Sequence, residues 1–113
     1  MHELSITKTM LGLVLDEARK NEAGQVQRIN LVIGSLSNIV DECVRFYFDF
    51  LSKETIAEGA QLSFKVVPAM AQCRACGEQF KLEEFNWACP KCGGIRIDIV
   101  KGRELYIESI EVE

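Results

Sequence analysis

Two Cys-x-x-Cys pairs constrain this chain more than any other feature of its sequence. Twelve residues separate the pairs, a glycine follows each of them, and together they contain Cys73, Cys76, Cys89 and Cys92. A Cys-x-x-Cys turn presents two sulfurs at the spacing that tetrahedral Zn²⁺ requires. The glycine that follows can adopt a positive φ, which turns backbone N–H groups towards the sulfurs. The pattern predicts a closed, structural zinc site.

Other chemistries use the same cysteines, and most of them fit this sequence less well. Two disulfides would require an exported protein, but the start Met1-His2-Glu3 lacks the basic residues that open a signal peptide. A redox Cys-x-x-Cys normally occurs once, beside a βαβ pattern. An iron–sulfur or rubredoxin-like iron site has the same ligands and stays open as an alternative to zinc.

The length and charge of the chain restrict what it can bind. The 113 residues are 48% hydrophobic, which predicts one compact domain, or a domain with a small additional module. No apolar run approaches the roughly 20 residues of a membrane span, so we expect a cytoplasmic protein with no membrane partner. The net charge of −4 is unsuited to a phosphate backbone, so we predict no nucleic-acid partner.

The periodicity of apolar residues predicts an α+β fold. Residues 4–21 have the three- and four-residue spacing of an amphipathic helix, at Ile6, Met10, Leu13, Val14 and Ala18. Alternating segments at 25–33, 61–68 and 104–112 predict three strands. A second helix should begin near Val40 or Asp41 and extend past Thr55. We therefore expect two helices on a three-stranded mixed sheet, with a zinc-ribbon module inserted before the last strand.

This order divides the chain into a discontinuous domain and an insertion. Residues 1–69 plus 103–113 should form an α/β domain, and residues 70–102 a zinc-binding domain. In the predicted strand at 61–68 we expect Leu62, Phe64 and Val66 to point inward. In the last strand the alternation slips near Glu108, which either a β-bulge or burial of both faces would explain.

The second helix has more apolar residues than one buried stripe needs. Val40, Val44, Tyr47 and Leu51 can face the sheet, whereas Cys43, Phe46 and Phe50 form an adjoining face. We expect this second face to lie in a core shared with the first helix, and Cys43 to be buried as a small apolar residue. The alternative is a surface for a partner protein or for self-association as a homodimer.

The start of the chain is a second candidate metal site. The Met1 amine, the His2 backbone nitrogen and the His2 imidazole can close adjacent chelate rings around one metal ion. Such nitrogen sites select Ni(II) or Cu(II), and Glu3 can add a backbone nitrogen or a carboxylate oxygen. His2 is the single histidine of the chain. The alternative is a frayed polar terminus without a metal, and the residues alone do not decide between the two.

Several motifs, in order along the whole chain, resemble those of the HypA/HybF family. They are Met-His-Glu-Leu-Ser at the start, Gly-Ser-Leu-Ser after the first strand, a Phe-rich second helix, Ala57-Glu58-Gly59-Ala60, the two Cys-x-x-Cys pairs, and the ending Glu-Leu-Tyr-Ile-Glu-Ser-Ile-Glu-Val. The family consists of nickel metallochaperones for [NiFe]-hydrogenase maturation. The resemblance implies that Met1, His2 and Glu3 bind nickel, and that Cys73, Cys76, Cys89 and Cys92 bind a structural zinc ion.

The same resemblance implies what the protein works with. It implies delivery of Ni²⁺ to the [NiFe]-hydrogenase large subunit together with a HypB-type GTPase, and in some organisms a role in urease maturation. The sequence contains no nucleophile–base pair, phosphate-cradling glycine loop or paired catalytic carboxylates, so we predict no enzymatic activity. The competing hypothesis is a zinc-ribbon adaptor or nucleic-acid-binding module with an inert terminus.

Overall fold

In a computed structural model, which describes residues 3–82 and 87–113, the chain combines helices with two small sheets. The helices are α1 (Glu3–Lys20) and α2 (Asp41–Leu51), and the strands are β1 (Val26–Gly34), β2 (Gln61–Val67), β3 (Met70–Cys73), β4 (Gln79–Lys81), β5 (Ile97–Lys101) and β6 (Leu105–Val112). Within these residues, neither helix is long and apolar enough to cross a membrane.

Helix α1 forms where the sequence predicts it, because its buried residues follow the helical period. They are Glu3, Thr7, Met10, Leu11, Val14 and Ala18, which lie on one face at spacings of three and four. An acidic residue in the first turn and basic residues in the last turn complement the helix dipole. The prediction was wrong at Leu13, whose side chain is 57% exposed, while Leu11 is buried.

The larger sheet has the strand order β2-β1-β6. The N–H of Gly24, just before β1, donates to the carbonyl of Glu113, just after β6, so these two strands run antiparallel. The N–H of Ser35, just after β1, donates to the carbonyl of Val67 at the end of β2, which is the arrangement of parallel neighbours. The predicted fold of two helices with a mixed three-stranded sheet is therefore confirmed.

Helix α2 is anchored by fewer residues than its sequence suggests. Val44 and Phe48 are buried in a core cluster with residues of α1, β1 and β2. Phe46 and Phe50 are 70% and 68% exposed, and Cys43 is exposed as well. The prediction that these three residues join an intramolecular core was wrong, because α2 uses the stripe through Phe48 for packing. The helix also ends at Leu51, before the predicted end past Thr55.

The alternation slip that the sequence shows in β6 is present in the structure. Ile107 and Ile110, three residues apart, are both half-buried against the same core cluster. Ser109 and Glu111 point to the opposite face, where the Asn30 side chain donates to both of them at 3.0 and 3.3 Å. β1 has the same spacing, with Val26 and Ile29 both buried. The Glu113–Gln25 and Gly34–Glu104 hydrogen bonds lie equally far apart along the two strands, so β6 has no net extra residue between them and the β-bulge stays a prediction. Burial of both faces does not occur, because Ser109 and Glu111 are exposed.

The second sheet contains the short strands around the cysteines. Its order is β4-β3-β5, and β3 pairs antiparallel with both neighbours. A separate core cluster supports it, with the buried residues Ala69, Ala71, Cys73, Phe80, Leu82 and Cys89.

In β2, which precedes this sheet in the sequence, Val66 is 58% exposed, so the prediction that it points inward was wrong.

The chain contacts define two compact units. The first contains Met1–Val32, Ile39–Lys65 and Tyr106–Glu113, and the second contains Ile33–Asn38 and Val66–Leu105. The first unit has the core of α1, α2 and the inward side of the larger sheet. The second has the cysteine-bearing sheet. The division into a nickel-binding α/β domain at 1–69 plus 103–113 and a zinc-binding domain at 70–102 stays a prediction.

A close approach of two backbone segments explains the glycine in Gly-Ser-Leu-Ser. Within the second unit, a Cβ placed on Gly34 would lie 2.0 Å from the carbonyl carbon and oxygen of Gly102 and 2.5 Å from the Arg103 nitrogen. The N–H of Leu36 donates to the Gly102 carbonyl at 2.7 Å, and the N–H of Gly34 donates to the Glu104 carbonyl at 2.8 Å. Only a residue without a side chain permits these two hydrogen bonds.

Candidate functional site

The four cysteines predicted as metal ligands converge on one point of the second unit. Their Sγ atoms all lie within 4.8 Å of one another. The closest pairs join the two motifs, with Cys73 and Cys92 3.5 Å apart and Cys76 and Cys89 3.6 Å apart. A tetrahedron with metal–sulfur distances of about 2.3 Å has edges of roughly 3.8 Å. The sulfur positions therefore fit a single tetrahedral metal ion.

The same distances exclude the disulfide alternative. A disulfide brings its two sulfurs to about 2.05 Å, well below the separations of the closest sulfur pairs. All the cysteines of the chain are free thiols. The cluster thus has four sulfur donors available to a metal ion.

Both Cys-x-x-Cys motifs fold into the same turn. The N–H of Cys73 donates to the Glu78 carbonyl, and the N–H of Cys89 donates to the Gly94 carbonyl, five residues on in each case. Within each turn a glycine N–H donates back to the first cysteine's carbonyl, at 2.9 Å for Gly77 and 2.8 Å for Gly93. These two glycines have φ values of +79° and +74°. The predicted positive φ of these two glycines is therefore confirmed.

Each turn contributes one buried and one exposed sulfur ligand. Cys73 and Cys89 are 1% and 2% exposed and pack in the core cluster with Phe80 and Leu82. Cys76 and Cys92 are exposed. Since this cluster contains few large apolar side chains, a metal ion bound by the cysteines would supply much of its folding free energy.

The protonation of the cysteines shows why the cluster favours a cation. Backbone N–H groups of Cys76 and Ala75 lower the pKa of Cys73 to about 7, although burial opposes this. The pKa of Cys76 rises to about 12, because burial and the neighbouring cysteine groups outweigh the Glu78 N–H that hydrogen-bonds it. Four thiolates this close repel one another, so their joint ionisation requires a bound cation.

An ion pair joins the first turn to β5. The Arg74 side chain donates from Nε and Nη2 to Asp98 Oδ1 at 2.9 and 2.6 Å, and the Arg74 N–H donates to the Arg96 carbonyl. Hydrogen bonding to Arg74 lowers the pKa of Asp98. Sequence reasoning missed this pair, because its members are 24 residues apart and no local pattern links them.

The predicted nickel residues are placed only in part. Met1 and His2 lie outside the described residues, and Glu3 is the first residue of α1. Glu3 is 3% exposed, and its Oε2 accepts a hydrogen bond from the Val40 N–H at 3.2 Å. Its carboxyl pKa falls to about 2, first through the chain's α-ammonium group and then through the backbone N–H groups of Glu3 and Val40, against the effect of burial.

The bond between Glu3 and Val40 connects the starts of the two helices. Val40 is the N-cap residue of α2 and has no side-chain cap of its own. In a capping box, a glutamate of the same helix accepts the N–H of the N-cap residue. Here Glu3 supplies that carboxylate from α1, and its negative charge also favours the N-terminal end of α2. Because the partners are 37 positions apart in the sequence, no local pattern predicts this contact.

Comparison with known proteins identifies relatives along the full length of the chain. A family model described as hydrogenase/urease nickel incorporation, metallochaperone, HypA matches residues 1–112. A protein named hydrogenase maturation factor HypA, from Caldanaerobacter subterraneus subsp. tengcongensis, is 47% identical over 114 residues, and the alignment covers 100% of both chains.

Solved structures agree with this at the level of the fold. One, a solution structure of a HypA protein, has a TM-score of 0.76 at 25% identity and covers 100% of this chain and 97% of its own. Another, the Ni metallochaperone HypA from Helicobacter pylori, has a TM-score of 0.67 at 24% identity, with coverage of 99% and 97%. The similarity to the Helicobacter pylori structure shows a shared fold. From the full-length family match and the 47% identical relative, the chain belongs to the HypA family of hydrogenase/urease nickel-incorporation metallochaperones.

Proposed function

We propose that this protein binds Ni(II) at its N-terminus and delivers it for maturation of [NiFe]-hydrogenase, and in some organisms of urease. The observation that carries the proposal is the family match over residues 1–112, which includes the Met-His-Glu start. Because of this match, an inert terminus is the weaker interpretation of these residues. The zinc-ribbon adaptor or nucleic-acid-binding module, which assumes an inert terminus, is therefore the weaker hypothesis as well. The protein acts as a carrier and has no catalytic site of its own.

The nickel ligands in this proposal are nitrogen atoms at the start of the chain. The Met1 amine, the His2 backbone nitrogen and the His2 imidazole form adjacent chelate rings around Ni(II). The Glu3 carboxylate already accepts the Val40 N–H and is 3% exposed, which supports the Glu3 backbone nitrogen as its contribution to the metal.

A site at a chain end suits transfer of its cargo. Ligands there can exchange one at a time without unfolding of α1, so nickel can pass to another protein by stepwise replacement. Since His2 is the only histidine, a receiving protein or a carboxylate completes the coordination during transfer. We propose the [NiFe]-hydrogenase large subunit as the receiver and a HypB-type GTPase as the partner that supplies energy. This sequence has no phosphate-binding glycine loop.

The zinc ion in this proposal is a resident structural cofactor. Cys73, Cys76, Cys89 and Cys92 hold it, and the fit of their sulfur atoms to one tetrahedral ion supports the assignment. With four protein ligands the coordination is closed, which is typical of structural and not catalytic zinc. When bound, the cation balances the thiolate charge and holds the two turns together. Reduced cysteines of this kind also agree with a cytoplasmic protein.

The proposal is tested by metal analysis and Ni(II) titration of untagged protein. Wild type is expected to contain one zinc and to bind nickel, whereas His2→Ala is expected to keep its zinc and its helical circular dichroism and to lose nickel binding. A parallel assay with duplex DNA at varied salt concentration addresses the nucleic-acid alternative. Nickel binding that survives His2→Ala would refute the N-terminal assignment, and salt-dependent DNA binding would favour the adaptor.

A further inference from the structure

A groove in the first unit lies between α1 and β6. One side of the groove is lined by residues at every fourth position, which are Leu13 and Glu17 of α1 and Asn21 just after it. The other side includes Ile107, Glu108 and Ile110 of β6, and the enclosed volume is about 520 Å³. None of the proposed metal ligands lines this groove, so the proposed nickel function does not account for it.

The groove runs along an open sheet edge. In the order β2-β1-β6, strand β6 pairs with β1 on one side, and no described strand pairs with it on the other. An edge strand presents backbone N–H and C=O groups that can pair with an added extended segment. The groove-lining part of β6 is long enough, at roughly 20 Å, for about six residues of such a segment.

The side chains of the groove combine apolar surface with negative charge. Leu13 is 57% exposed, and Ile107 and Ile110 are half-buried beside it. Glu17 and Glu108 are both exposed, and no basic residue occurs among the described residues that line the groove. An occupant with alternating apolar and basic side chains would complement both properties.

The same charges disfavour a second copy of this chain in the groove. The β6 sequence, Leu-Tyr-Ile-Glu-Ser-Ile-Glu-Val, contains two glutamates and no basic residue. Pairing of β6 with β6 would place acidic strands side by side, and like charges across a strand pair are destabilising. Acidic residues on an edge strand also protect it from self-association.

From the edge, the apolar walls and the charge, we propose that this groove binds an extended basic segment of a partner protein. The segment adds to β6 as a further strand. Its apolar side chains lie against Leu13 and Ile110, its basic side chains on the other face of the strand meet Glu108, and Glu17 adds negative charge on the α1 side of the groove. The proposal concerns an interaction surface and requires no metal transfer, so it stands or falls separately from nickel binding.

The first test uses fluorescence anisotropy of zinc-loaded, full-length protein with three labelled octapeptides. One alternates lysine and valine, one alternates glutamate and valine, and one is the lysine–valine peptide with N-methylated valines. Only the first is expected to bind, because methylation removes backbone donors and glutamate reverses the charge. Absence of binding by the lysine–valine peptide, or equal binding of its N-methylated form, would overturn strand addition.

The second test compares two double variants that change the net charge by the same amount, one within the groove and one elsewhere. Glu17→Lys with Glu108→Lys is expected to weaken binding of the lysine–valine peptide at least about tenfold. The matched control, Glu42→Lys with Glu58→Lys, changes two exposed acids elsewhere in the first unit and is expected to weaken it by less than about threefold. Equal effects of the two variants would reduce the interaction to general attraction and overturn the proposal.

Two control measurements complete the test. Nickel and zinc content of the Glu17→Lys/Glu108→Lys variant should equal that of wild type, which separates this proposal from the nickel assignment. Sedimentation of wild type and Leu13→Asp addresses the second-copy alternative. A concentration-dependent dimer that Leu13→Asp dissociates would assign the groove to another copy of the chain and overturn the proposal.

Discussion

Gly34→Ala is the substitution for which the structure gives the clearest magnitude. The new Cβ would lie 2.0 Å from the carbonyl carbon and oxygen of Gly102, whereas real Cβ atoms essentially never approach within 3.0 Å. The contacted atoms are backbone, so rotation of a side chain cannot relieve the overlap. The two segments must separate by about 1 Å or more, which breaks or lengthens the Leu36–Gly102 and Gly34–Glu104 hydrogen bonds.

These effects add up to a large part of the stability of a small protein. Overpacking of this kind costs roughly 1–3 kcal/mol, and each lost backbone hydrogen bond costs about 0.5–1.5 kcal/mol. We therefore expect Gly34→Ala to lower the free energy of unfolding by roughly 2–6 kcal/mol, against a typical total of about 5–15 kcal/mol.

Urea unfolding of zinc-saturated protein, followed by circular dichroism, measures this loss. Gly12→Ala is the matched control, because a Cβ at Gly12 of α1 would meet nothing within 4 Å. Alanine there is expected to stabilise the helix by about 0.5–1 kcal/mol. The reasoning is refuted if Gly34→Ala unfolds within about 1 kcal/mol of wild type, or if Gly12→Ala is as destabilising as Gly34→Ala.

Further predictions concern the metal sites. Cys73→Ser should abolish stoichiometric zinc binding while Cys43→Ser, at an exposed cysteine outside the cluster, should retain it; equal zinc content in the two variants, measured by metal analysis, would contradict the four-cysteine site. Glu3→Gln should weaken nickel binding in calorimetric titration, because it removes the negative charge of a carboxylate that hydrogen-bonds the α-ammonium group and the Val40 N–H. Glu42→Gln should leave nickel binding unchanged. Nickel affinity should fall as the pH drops from 8 to 5.5, because neutral imidazole, with an ordinary pKa of about 6.5, is the ligand. The Glu3 carboxyl, with a pKa of about 2, stays ionised over this range. A nickel affinity that does not change with pH would contradict the prediction.

Periodicity predicted the elements of the fold well where one face of an element is apolar. In α1 the buried residues follow the helical period closely, except at Leu13. In β1 the alternating residues Ile29, Leu31 and Ile33 are buried, but Val26 and Val32 are buried as well, so the strand period is only partly followed. In α2 almost every position after the first turn is apolar or aromatic, so the pattern does not select the stripe through Val44 and Phe48. In β6 the sequence showed the slip at Glu108, but excluding burial of both faces required the exposed positions of Ser109 and Glu111.

In the candidate site, too, local structure was predictable from the sequence, whereas contacts between residues far apart in the sequence were not. The cysteine cluster was predictable because each turn is local and the required number of ligands is known. The Arg74–Asp98 pair and the Glu3–Val40 bond were not, since each joins residues brought together by the tertiary fold. Glu3 was singled out through the family resemblance as a metal ligand, and its buried contact with α2 adds a positioning role.

The central claim is that nickel binds at the start of the chain, and blocking that start tests it most directly. A two-residue Gly-Ser extension before Met1 removes the amine from the site, and the same extension after Glu113 is the matched control. Both proteins are titrated with Ni(II) after their zinc content has been measured. We predict one zinc in each, nickel binding by the C-terminally extended protein, and none by the N-terminally extended one. Equal nickel affinity of the two would contradict the account.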